Sequence, residues 1–85
     1  MSDVLLCDVF RSPRKEGMYL YVETKAGMTK VPDILAKQFG EPHFVMTLAL
    51  TPDKKLARVS RDDVVDAILK QGFFLQMPPG EQVEA

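Results

Sequence analysis

Two rhythms of apolar residues run along this chain, and the switches between them divide it into elements. Val4-Leu5-Leu6-Cys7-Asp8-Val9-Phe10 is apolar on both alternation faces, the pattern of a strand covered on two sides. Arg11 to Gly17 is polar and holds Pro13, and Met18 to Glu23 is again β-favouring, so the two runs predict a hairpin. In the second run Met18, Leu20 and Val22 share one face while Tyr19, Tyr21 and Glu23 share the other, which predicts an edge strand with one buried and one amphipathic side.

From Val31 the period lengthens. Val31, Ile34, Leu35 and Phe39 collect on one helical face, Pro32 and Asp33 suit a helix start, and Gly40 suits its end. His43 to Leu50 returns to strand character with both faces mainly apolar, which predicts a second central strand. After the turn-rich Thr51-Pro52-Asp53-Lys54-Lys55, Ser60 stands three residues before Asp63 in the manner of a capping box. Val64, Val65, Ile68 and Leu69 then predict a helix that Gly72 ends. Phe73 to Met77 reads as a last strand, stopped by Pro78-Pro79, whose missing donors place it at an edge.

The order ββαβαβ predicts an α/β (α+β) fold over residues 1–79: a single-domain α/β/α sandwich with a four-stranded sheet, strands 1 and 3 central, and helices on both faces. Residues 80–85 read as a disordered acidic tail. Eighty-five residues, 46% apolar and 27% charged, suit one domain with one thin core. A single cysteine closes no intrachain disulfide, and the apolar run near the N-terminus is broken by Asp8, so neither a signal peptide nor a membrane span is expected and the expected setting is the cytoplasm.

Three stretches resemble the YcgL domain family of small proteobacterial proteins. They are Val9-Phe10-Arg11-Ser12 with Tyr19-Leu20-Tyr21-Val22-Glu23; Val31-Pro32 with Leu35 and Phe39-Gly40-Glu41-Pro42; and Gly72-Phe73-Phe74-Leu75-Gln76-Met77-Pro78-Pro79. Each piece is ordinary, and the combination carries the specificity. The resemblance implies a compact α/β/α sandwich and transfers no activity, cofactor or catalytic residue. It also implies a link to RNA metabolism, because genes of such proteins stand beside the ribonuclease D gene in some lineages.

Chemistry-bearing residues are sparse. Cys7 lies in an apolar strand beside Asp8, whose charge disfavours a thiolate, so it reads as packing rather than as a nucleophile. His43 is the only histidine; an enzyme site would need it to meet a carboxylate, Ser12, Thr47 or Cys7. Asp62 and Asp63 fit the positive end of a helix and Asp66 its solvent face. No phosphate loop, nucleophile elbow or metal-ligand spacing is present, and no cofactor is expected.

Charge placement is more informative than the net charge of −1. Arg11, Arg14, Lys15, Lys25 and Lys30 face two acids between positions 11 and 30, a balance of +3. Lys54, Lys55, Arg58 and Arg61 face none, a balance of +4. The candidate interaction surface is therefore Arg11, Arg14 and Lys15 in the hairpin loop with Lys54, Lys55, Arg58 and Arg61 in the connector, and Tyr19 and Tyr21 as stacking platforms. The leading expectation is a non-catalytic macromolecular interaction or adaptor module whose hairpin loop and proline-ended edge strand recognise a partner such as another protein. An accessory role in binding single-stranded RNA through loops 11–15 and 54–61 is the chief alternative, and a small enzyme with a site near His43 is another. The chain is expected to be a monomer or a weak homodimer formed by pairing an outer strand or by burying Tyr19 and Tyr21.

Overall fold

A computed structural model describes residues 4–56 and 59–78. Arg58 and the expected acidic tail lie outside the described residues. The elements are β1 (Leu5–Arg11), β2 (Tyr19–Glu23), a 3-10 turn (Gly27–Lys30), α1 (Asp33–Phe39), β3 (His43–Leu50), α2 (Arg61–Gln71) and β4 (Phe73–Gln76). Their order is the ββαβαβ expected. All strand pairs are antiparallel, in the sheet order β3-β1-β2-β4.

That order corrects one expectation. β1 is central, but the second central strand is β2, and β3 lies at an edge. The hairpin sets Val9 opposite Tyr21 and Phe10 opposite Leu20, leaving the outer side of β1 for β3. β4 then docks on the free side of β2, because α2 packs over β2 and β4 and a one-residue turn at Gly72 drops the chain from the helix into the strand. β2 reads as an edge strand because of its tyrosines, yet Tyr21 is buried with its hydroxyl bonded to Gln76. Two apolar faces favour a covered strand but do not choose its neighbours.

Helices lie on both faces, as expected. On one, Cys7, Val9, Tyr21 and Leu50 pack with Val64 and Ile68 of α2. On the other, Met18, Leu20 and Val22 pack with Val31 and with Phe39 of α1. Two residues assigned to helical core stripes point to water instead: Ile34 is 72% exposed and Leu69 71%. Both helices are short and meet the sheet along a narrow seam, so the rim of each apolar stripe stays outside it.

Local chemistry fixes the ends of α2. The Ser60 hydroxyl accepts from the Asp63 N–H at 3.4 Å, and Asp62 and Asp63 occupy the first turn. Gly72 takes φ +95° in the left-handed region, where a Cβ would stand 2.5 Å from the Lys30 Cβ. Only glycine meets both constraints. At the other end of the helix, Arg61 Nε and Nη2 donate to the Leu50 carbonyl at 3.3 and 3.0 Å, tying the start of α2 to the end of β3.

Candidate functional site: a groove across the sheet

On the α2 face, positions of one alternation parity contribute Val9 from β1, Tyr19 and Tyr21 from β2, Leu48 from β3 and Gln76 from β4. With the connector after β3 they line a groove of about 430 Å³, within the range of small-molecule and side-chain pockets. The register between β1 and β3 shifts between Val9 and Phe10, so one extra β3 residue is inserted. Val45 and Met46 consequently both reach the groove. Lys54, Lys55 and Leu56 form the connector wall, placing two lysines beside an aromatic and aliphatic floor.

The floor is preorganised. The Tyr21 hydroxyl donates to Gln76 Oε1 at 2.9 Å, and the Tyr21 ring meets Phe74 edge-on at 5.7 Å between centroids. Gln76 is buried, so its amide is held at the bottom of the groove. Tyr21 is thereby a floor element, and Tyr19, half-buried, is the tyrosine with ring surface available to a ligand.

Four of the nine residues expected at an interaction surface, Tyr19, Tyr21, Lys54 and Lys55, come together here. Arg11 is exposed at the hairpin end of the same face, opposite Tyr19 on one side and His43 on the other. Arg14 instead lies against Gly40 at the end of α1, where a Cβ would stand 3.0 Å from the Arg14 Cγ. The Lys15 N–H donates to Ser12 Oγ at 3.2 Å, within the hairpin loop. Arg61 is committed to Leu50 and to Asp62, the latter at 2.9 Å. Arg58 lies outside the described residues. The basic segments therefore divide: the connector lysines face the groove, and Arg14 stands with α1.

Residues that suggested catalysis are otherwise engaged. The Cys7 thiol is fully buried, and burial, reinforced by the Asp8 charge, pushes its pKa up to about 11. Asp8 Oδ1 accepts from the Thr24 and Thr47 hydroxyls at 2.9 and 2.7 Å. Asp66 pairs with Lys70 one helical turn on, at 3.2 Å. Among the described residues the His43 side chain is exposed and makes no hydrogen bond or ion pair, and no group of three His, Cys, Asp or Glu side chains is placed to hold a metal. No helix among them is long and apolar enough to cross a membrane.

Two residues hold roles that the sequence alone did not assign to them. Ser12 is buried; its hydroxyl donates to the Phe39 carbonyl at 2.6 Å and accepts from the Arg14 and Lys15 N–H groups, stapling the hairpin loop to α1. The Ser12-Pro13 turn dipeptide was its only signal. Gln76, the groove's amide, was signalled as the lone polar residue of an otherwise apolar last strand.

The chain matches the YcgL domain over residues 7–79. A YcgL domain-containing protein of Saccharophagus degradans is 51% identical over 75 residues, covering 88% of this chain and 82% of the relative. One from Pseudomonas aeruginosa is 49% identical over 77 residues, 91% of this chain and 79% of the relative. Another, from Cellvibrio japonicus, is 42% identical over 81 residues, 95% and 83% of the two chains. With the domain match and this identity spread over nearly its whole length, the chain belongs to the YcgL domain family.

Proposed function

We propose that this protein is a non-catalytic macromolecular interaction module and that the groove is its recognition surface. One observation carries the reading: an apolar floor with an ordered amide, flanked by Lys54 and Lys55, crosses the sheet beside the β3 edge. The floor offers burial to an apolar or planar group, and the lysines offer attraction to an anion attached to it. Among the described residues around it no nucleophile, base and electrophile are assembled, which favours binding over chemistry. The buried, protonated thiol suits a reducing, cytoplasmic setting.

Titration of isotope-labelled protein with a mixed-sequence single-stranded RNA, and separately with acidic aromatic peptides, tests the reading by amide shift mapping. Binding of either class moves Tyr19, Lys54, Lys55 and Gln76 together. Shifts confined to other surfaces, or none with either class, refute it.

The single-stranded RNA reading is favoured specifically by Tyr19, which is only partly buried and lines the groove with Lys54 and Lys55, opposite Arg11 on β1. Three phosphate contacts give a slope of log affinity on log salt of roughly −2, at about −0.7 per contact for single strands. RNA retention insensitive to salt excludes this variant and leaves the peptide class.

A further inference from the structure

β3 has the sequence of an interior strand and the position of an edge. From His43 to Leu50 it carries no Lys, Arg, Asp, Glu or Pro, the residues by which exposed edges are usually blunted. From His43 to Thr47 its side chains are exposed on both faces, with Phe44 60% and Met46 46% exposed and Leu6 on the neighbouring β1 48%; only Leu48 and Leu50, at its end, turn into the α2 core. The helices concentrate over β2 and β4, and among the described residues nothing pairs with the outer side of β3. The Val45 bulge interrupts only the first part of the strand; Met46 to Leu50 keep a regular register with β1.

We infer that β3 pairs antiparallel with the β3 of a second copy, joining two sheets into one with the order β4-β2-β1-β3-β3-β1-β2-β4. A second copy is the occupant that matches both faces at once. The two-fold axis of an antiparallel pair stands perpendicular to the sheet, so each apolar face continues into its own kind. The strand ends match as well. Exposed Glu41 precedes β3, and Asp53, Lys54 and Lys55 follow it with a balance of +1, so the reversal brings the acid of each copy to the net-basic end of the other. Pairing converts β3 into the covered strand that its composition describes. It also sets the two grooves on the same face, next to one another across the joint. The joint shares Met46, Lys54 and Lys55 with the groove, but dimerisation is read from mass and exchange without any groove ligand.

Sedimentation of the full chain from micromolar to millimolar concentration, with hydrogen exchange of β3 amides, tests the inference. Mass should rise from 9.6 kDa to twice that value, and amides of Met46 to Leu50 should gain protection in step. Met46→Lys and Ala49→Lys, on opposite faces of the same strand, should each weaken dimerisation by about 100-fold or more while circular dichroism and the melting transition stay native. Ile34→Lys, on exposed α1, should leave it unchanged. A monomer throughout the range overturns the inference, whether its β3 amides are open or are protected by another part of its own chain. So does a dimer that survives both β3 lysines or is lost with the Ile34 variant.

Discussion

The Tyr21 hydroxyl donates to the Gln76 side-chain carbonyl at 2.9 Å, joining residues 55 positions apart in the chain on neighbouring strands. Both side chains are buried, so neither polar group has bulk water as a substitute. Tyr21→Phe should cost about 1–2 kcal/mol, the penalty of leaving a buried carbonyl with one partner fewer. For a domain of this size, 1 kcal/mol lowers the melting temperature by about 4–8 °C. Combining it with Gln76→Leu should cost less than the sum of the two single changes, since the double variant leaves no orphaned partner. Urea unfolding of the four proteins measures the coupling.

Lysines at the groove and the arginine at the start of α2 should behave differently, although they belong to one basic segment of the sequence. Lys54→Gln with Lys55→Gln should leave the melting temperature within a degree or so of the wild type, because surface cations contribute little to stability, and should flatten the salt dependence of any anionic ligand. Arg61→Ala should do the reverse. It removes two donors from the Leu50 carbonyl, at a cost of roughly 1–3 kcal/mol, and leaves the salt slope unchanged. Calorimetry and a binding series in increasing salt separate the two.

Cys7 gives an alkaline signature. Its folded pKa of about 11 lies above the ordinary thiol value of 9.0, so the folded protein keeps a proton that the unfolded chain releases. The contribution is fully present below pH 9 and is lost as pH rises through about 11. The difference in stability between wild type and Cys7→Ala, which cancels the other groups titrating there, should therefore shrink steadily across that window. At pH 8 the thiol should react with a disulfide reagent only as fast as the fold opens, and Cys7→Ala sets the zero of that assay.

Gly72→Ala should destabilise by roughly 1–2 kcal/mol, more than an exposed cap glycine, because a methyl group there meets both the left-handed backbone and the Lys30 side chain. Lys30→Gly in the Gly72→Ala background, which removes the clashing Cβ, should recover the steric part and leave the conformational part, as thermal melts of the two single variants and the double variant would show.

Local signals were legible and long-range ones were not. Ser60 and Gly72 bracket α2 as their positions announce, and β3 runs from His43 to Leu50 as its alternation predicts. Sequential spacing also paired β1 with β2. What the pattern could not give is which strand lies next to which, since an apolar residue such as Met46 reads the same whether a helix, a groove or a second chain stands over it. The site was half legible for the same reason. Lys54 and Tyr19 announce themselves by type, but their meeting depends on the connector folding back over β2, whereas Arg14 and Arg61, equally basic, are directed elsewhere by Gly40 and Leu50.

The sheet order has a consequence for how the molecule is made. Its middle is the hairpin encoded first, and both flanks are supplied by later segments: β3 on one side, then β4 on the other. During synthesis the hairpin emerges with two open sides and waits for the rest of the chain, so β4, only four residues long, is the last closure. A chain stopped before Phe73 would leave the Leu20 and Val22 ribbon open to pairing with its neighbours, and premature termination there should yield aggregates rather than a smaller stable protein.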